Sequence, residues 1–242
     1  MWYNEDKKNF EVRRMKIIAK IHTDFPEKFG IPRQSGLVNE VKGRIIFEPE
    51  FRNPEIIKGL EDFNYIWLLW QFDDGKRKNW SATVKPPRLG GNVRKGVFAT
   101  RSPFRPNPIG LSSVKLERIE LTEEGPVLIV AGADLRDQTP IYDIKPYLPY
   151  VDIHEDAVDG FAGEVKEYRL IVKVTDEAEK QLEKVYSKEQ QETIKKLLEQ
   201  DPRPSYHNDP TRVYGMAYAG WDIHFCVKGE ILTILEVTRY NK

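Results

Sequence analysis

Pro103, Pro106 and Pro108 fall within six residues of one another, between two apolar runs, and this spacing constrains the fold more than any other feature of the chain. Each proline fixes φ and removes a backbone donor. Each also pushes the residue before it into extended geometry. Ser102, Arg105 and Asn107 are therefore held in a stiff, non-repetitive loop within residues 96–112. Such stiffness lowers the entropic cost of presenting Arg101, Arg105 and Asn107 to a ligand. The alternative is a rigid turn whose arginines pair with nearby carboxylates.

The flanks of this loop read as strands. Residues 65–72 are nearly all apolar, the pattern of a strand covered on both faces. Residues 15–21, 43–47, 111–119 and 127–131 predict further strands, the last two joined by a turn at Glu123-Glu124-Gly125-Pro126. Residues 54–60 suit one or two helical turns, and the proline-bearing stretch 134–149 reads as loop. Short strands with long loops predict a β-barrel or sandwich over alternating βα units. Beyond Asp159 the pattern changes. Residues 165–174 read as a strand, Asp176 with Glu179 and Ser187 with Gln190 as helix-capping pairs, and 213–218, 223–227 and 231–237 as closing strands. The chain is thus read as mainly β, with an extension over 1–14, a β-barrel domain over 15–159 and a small α+β domain over 160–242.

Composition narrows the function. Lys plus Arg and Asp plus Glu are both 38, so the formal net charge is zero. That disfavours bulk attraction to nucleic acid but leaves local basic patches open. No apolar run approaches the ~20 residues a membrane helix needs. Residues 1–14 hold no apolar signal core, so a cytoplasmic protein is expected, with Met15 an alternative start. Cys226 is the only cysteine, and His22, His154, His207 and His224 are scattered, so no metal site is expected.

No GxGxxG, GxxxxGK[ST] or GxSxG motif is present, which weakens dinucleotide, P-loop and hydrolase readings. Polar residues instead collect in the loops around Gln34, Phe72-Asp73, Arg101 and Asp134, and in Tyr142-Asp143-Ile144-Lys145-Pro146-Tyr147. A carboxylate beside a lysine or tyrosine can do acid–base work when partly buried. A surface ion pair is the plainer alternative.

Arg33-Gln34-Ser35-Gly36-Leu37, Pro86-Pro87-Arg88-Leu89-Gly90-Gly91-Asn92, the whole of 96–112 and Asp143-Ile144-Lys145-Pro146-Tyr147-Leu148-Pro149-Tyr150 resemble the TrmO family over about 15–152. Leu198-Glu199-Gln200-Asp201-Pro202-Arg203-Pro204-Ser205-Tyr206 resembles the accessory domain of its two-domain bacterial members. The resemblance implies a barrel enzyme, typically dimeric, that uses S-adenosyl-L-methionine to methylate N6 of N6-threonylcarbamoyladenosine at tRNA position 37. It implies cofactor contacts at Gln34, Ser35, Gly36, Phe72, Asp73, Arg101, Leu111 and Gly132, Ala133, Asp134 and Leu135. It also places Asp143, Lys145 and Tyr147 near the reaction, with Asp143 as candidate base tuned by Lys145 or Tyr147. Arg88, Arg94, Lys95, Arg105 and Arg136 are the candidates for tRNA phosphates, alongside Arg203 and Arg212. The chain departs from the family at Asn64-Tyr65, at Phe72-Asp73 and at Ile18-Ala19. A non-catalytic RNA-binding module and a small-molecule methyltransferase remain the rival functions.

Overall fold

The computed structural model describes residues 15–72, 80–86, 89, 93–163, 169–204 and 209–241. Its first part contains β1 (Ala19–Thr23), β2 (Lys42–Phe47), β3 (Tyr65–Gln71), the short pair β4 (Thr83–Val84) and β5 (Lys95–Gly96), then β6 (Ile109–Thr122), β7 (Gly125–Ala131) and β8 (Thr139–Pro146). Apart from β4 and β5, these strands close into a barrel in the order β1-β2-β7-β6-β3-β8. Side chains alternate across a strand, so each strand sends every second residue inward. Ile21, Ile45, Ile66, Leu68, Val114, Leu128, Val130 and Ile141 are buried there.

β6 is 14 residues long and serves two neighbours. Ile109 to Lys115 pair with β3 and Lys115 to Thr122 pair with β7, with a register shift between Leu116 and Arg118. A bulge of this kind bends a strand around a barrel wall.

Three sequence expectations are corrected. The stretch 134–149 is not mainly loop, because β8 runs through it and closes the barrel against β1 and β3. Its prolines obscured the strand, yet Pro140 and Pro146 sit at the second and last positions, where a missing donor is tolerated. β3 is not buried on both faces: Ile66, Leu68 and Trp70 point inward and the residues between them are half-exposed or exposed. The first strand begins at Ala19 rather than at Met15, which is exposed.

After the short helix α1 (Pro149–Asp152), the second part contains β9 (Ile171–Val174), α2 (Asp176–Val185), α3 (Lys188–Glu199), β10 (Tyr214–Tyr218), β11 (Trp221–Lys228) and β12 (Ile231–Arg239). Its sheet order is β10-β11-β12-β9, with β9 parallel to β12. Ser187 and Gln190 form the expected capping box on α3. On α2 the cap is Thr175, whose side chain accepts from the Ala178 amide, one residue before the expected Asp176. Cys226 lies half-buried in β11.

The loop between β1 and β2 joins the two parts. Phe25 is fully buried and meets the Tyr218 ring edge-on at 5.3 Å. Phe29 stacks against Tyr214 and Phe225 at 6.3 Å each. Ala219 N–H donates to the Asp24 carbonyl at 2.9 Å. Arg33 Nη2 donates to the Asp201 carbonyl at 2.9 Å, and Lys196 pairs with Glu40. One hydrophobic core therefore runs through both parts.

Candidate functional site

The same β1–β2 loop supplies one wall of a 730 Å³ cleft at the end of the barrel, the size range of ligand pockets. Ile31, Pro32, Gln34 and Ser35 come from that loop. Trp67, Trp70 and Phe72 come from β3 and its end, Phe98, Arg101, Arg105 and Leu111 from the proline-rich loop and the start of β6, and Asp134 and Arg136 from the β7–β8 connection. The cleft thus joins apolar walls to guanidinium groups and a single carboxylate among the described residues that line it.

Short-range bonds fix these groups. Arg101 Nη1 donates to Gln34 Oε1, linking the proline-rich loop to the β1–β2 loop. Arg105 Nη1 donates to the Thr100 carbonyl at 2.8 Å, and its guanidinium lies 5.9 Å from the centre of the Phe98 ring. Phe98 itself is 76% exposed. Gly36 N–H donates to the Gly132 carbonyl at 2.9 Å. Beneath the cleft, Trp70 Nε1 donates to Ser112 Oγ at 3.0 Å, and Ser112 Oγ donates to Asp134 Oδ1 at 2.6 Å. Burial pushes the Asp134 carboxyl above the usual carboxylate range. The Ser112 hydroxyl, the backbone amides of Asp134 and Ser35 and the Arg101 charge partly oppose that rise.

The structure gathers Gln34, Ser35, Phe72, Arg101, Leu111 and Asp134 into the cleft, with Arg105 and Arg136 at the same place. Gly36 and Gly132 meet through their backbones behind it, and Ala133 and Leu135 are buried in the core. Asp73 and Arg88 lie outside the described residues. Asp143 and Lys145 lie in β8 outside the cleft lining, paired with each other at 2.8 Å. Asp143 lines a neighbouring groove with Tyr142 and Leu69, and Ile109 borders both spaces. Tyr147 packs 5.5 Å from Trp67, behind the cleft wall. Arg94 is bonded to Thr83 on the β4–β5 pair, and Lys95 lies over the Phe161 ring at 5.3 Å. Arg203 pairs with Asp201 at 2.8 Å, and Arg212 lies over Tyr214.

Sequence reasoning missed Trp67, Trp70, Gly110 and Ser112. A signal existed for Ser112: it stands among the inward positions Gly110, Val114 and Leu116 of β6, where a hydroxyl needs a partner. Among the described residues no group of three or more His, Cys, Asp or Glu side chains is placed to hold a metal, and no helix is long and apolar enough to cross a membrane.

A closed barrel with a loop-built, arginine-bearing cleft at its end and an attached α+β unit defines a two-part barrel protein. Residues 20–153 match the tRNA-methyltransferase O N-terminal domain family, and 167–240 match the TrmO C-terminal domain family. The chain is 40% identical over 216 residues to the tRNA (adenine(37)-N6)-methyltransferase of Escherichia coli (strain K12), covering 88% of this chain and 91% of that protein. It is 48% identical over 166 residues to the protein of the same name from Eikenella corrodens, covering 69% and 92%. The solved structure of TrmO from Pseudomonas aeruginosa superposes with a TM-score of 0.73 at 33% identity, covering 93% of this chain and 98% of that one. The chain belongs to the TrmO family.

Proposed function

We propose that this protein transfers the methyl group of S-adenosyl-L-methionine to N6 of N6-threonylcarbamoyladenosine at position 37 of tRNA. The observation that carries this reading is the convergence of Gln34, Ser35, Phe72, Arg101, Leu111 and Asp134, drawn from separate segments, on one cleft. The residues present fit the methyl donor. Arg101 offers a guanidinium to a carboxylate, Gln34 and Ser35 offer polar groups, and Leu111, Phe72 and Pro32 offer apolar surface to an adenosyl group. When bound, the donor supplies an electrophilic methyl carbon on a sulfonium.

The protein's part is to bring the target nitrogen into line and exclude water. A base inside a folded anticodon loop must leave its stack to reach such a cleft. The exposed Phe98 and the nearby Arg105 suit the rim for that nucleotide and its phosphates. We assign Arg88, Arg94, Lys95, Arg105 and Arg136 to the tRNA and place the enzyme in the cytoplasm as a homodimer. A second subunit over Ile109 and Leu111, both exposed, would cover the groove that holds Asp143. We divide the chain into a barrel unit at 15–159 and an accessory unit at 160–242, a boundary lying between the two matched ranges.

The test is mass spectrometry of nucleosides from tRNA with and without the threonylcarbamoyl group, after incubation with enzyme and S-adenosyl-L-methionine. Methylation confined to the modified tRNA is expected. Equal methylation of unmodified adenosine overturns the substrate assignment. Methylation of a metabolite pool in place of tRNA makes this a small-molecule enzyme, and failure to bind the donor makes it a non-catalytic module.

A further inference from the structure

The cleft needs a group to take the proton that the target nitrogen loses, and among its described lining residues the only carboxylate is Asp134. The chain of bonds beneath it has one possible direction. An indole N–H is a donor only, so Trp70 Nε1 can only donate to Ser112 Oγ, at 3.0 Å. Ser112 is 1% exposed, and its own proton is directed at Asp134 Oδ1, 2.6 Å away. Oδ1 is thereby held as an acceptor, and the same carboxylate also accepts from the backbone amides of Asp134 and Ser35. The support extends one residue further. A Cβ on Gly110 would lie 2.2 Å from Trp70 Cε2, so only glycine lets the indole lie where it reaches Ser112.

We propose that Asp134 is the catalytic base of this enzyme, and that Ser112, backed by Trp70 across Gly110, is the positioning residue that fixes it. The proposal rests on the functional reading above. In the step, the nitrogen bonds to the methyl carbon and the carbon–sulfur bond breaks, leaving its electron pair on sulfur. The nitrogen's proton passes to the Asp134 carboxylate. The surroundings suit that task. Lys28, Arg33, Arg101, Arg105 and Arg136 are the charged groups sharing the cleft, and all are basic. Burial nevertheless keeps the Asp134 carboxyl raised, which makes it a better proton acceptor than a free carboxylate. The rival, Asp143, lies outside the cleft lining and faces a lysine, its Oδ2 2.8 Å from Lys145 Nζ.

Three full-length variants decide the matter: Asp134→Asn, Asp143→Asn and Ser112→Ala. Turnover is measured at saturating donor and modified tRNA across pH, donor affinity by calorimetric titration, and the Trp70 indole N–H by NMR against pH in ligand-free protein, assigned with Trp70→Phe. Asp134→Asn keeps an acceptor for Ser112, so the fold is retained. It should lower kcat by about a hundredfold or more while changing donor Kd by less than threefold. Asp143→Asn should lose less. Because the base must be ionised, wild-type kcat falls as pH drops through the Asp134 pKa. Ser112→Ala removes a bond that favours ionisation, so that acid limb should move up by roughly one pH unit. The Trp70 resonance should titrate with the midpoint of wild-type kcat/KM, measured in the same assays at subsaturating tRNA, which reports the base of the free enzyme. An active wild type whose Asp134→Asn variant keeps its kcat overturns the base. So does a loss of donor affinity that accounts for all lost activity, or an Asp143→Asn variant that loses more. An unmoved acid limb in Ser112→Ala overturns the positioning role. A wild type that transfers no methyl group to tRNA instead overturns the functional reading beneath the proposal.

Discussion

The β1–β2 loop has two halves with opposite characters. Residues 24–30 carry the buried aromatic ties to the accessory part, with Phe25 fully buried and Phe29 stacked on Tyr214 and Phe225. Ile31, Pro32, Gln34 and Ser35 face the cleft, and there the tie to the opposite wall is the polar bond from Arg101 to Gln34. Burying a phenylalanine contributes about 1.5–3 kcal/mol, more than the ~1 kcal/mol of a typical hydrogen bond. One half is therefore an anchor and the other the cleft-facing segment that it holds out. The accessory part fixes the loop that carries cofactor candidates.

Gly30 tests whether the anchor governs the surface. Its φ is +93°, and a Cβ there would lie 2.5 Å from Met216 Cγ and Sδ, which are fully buried. Gly30→Ala meets both backbone strain and overpacking, and should cost about 1–3 kcal/mol or more in a chemical denaturation series. Donor affinity should fall with it, since the shifted segment leads directly into Gln34. Lost stability with unchanged donor affinity would separate the two halves and break the comparison.

Arg101→Ala acts on the other half alone. It removes the cleft guanidinium and the bond to Gln34 without touching the aromatic anchor. A lost hydrogen bond to a charged group is worth about 1.5–3 kcal/mol, so donor Kd should rise roughly ten- to hundredfold. The thermal midpoint should hardly move. A midpoint shift comparable to that of Gly30→Ala would show that the polar bond, not the aromatic contact, secures the loop.

These residues also show what a sequence reveals. The proline-rich loop was legible because proline acts locally, through φ and a missing donor. The strand at 111–119 and the capping box of α3 were legible for the same reason, as strand propensity and capping are short-range effects. β8 was not, because what makes 139–146 a strand is pairing with β1 and β3 from distant parts of the chain. The cleft list was carried by resemblance, and its geometry adds the distinction that the list lacked. The resemblance assigns Asp134 to the cofactor and Asp143 to the proton, yet the first lines the cleft and the second faces a lysine outside it. The anchor was invisible for the same reason as β8, since nothing near Phe25 in sequence announces Tyr218.

The smallest expected effect concerns the ion pair between Lys196 on α3 and Glu40, at the far end of the same loop. Their side chains are 44% and 32% exposed, so solvent screens the attraction. The hydrogen bond from Lys196 holds the Glu40 carboxyl below its usual range, and the same contact raises the Lys196 ammonium. A carboxylate with a lowered folded pKa stabilises above its unfolded value and loses that contribution as pH falls through the folded one. Glu40→Gln should therefore lower the thermal midpoint by about 1–2 °C at neutral pH, with the difference from wild type shrinking below about pH 4. High salt should shrink it as well. Donor affinity should stay unchanged, because the aromatic anchor remains. A midpoint loss that persists at low pH or in high salt would assign Glu40 a packing role, and a fall in donor affinity would show that the anchor needs its ionic end.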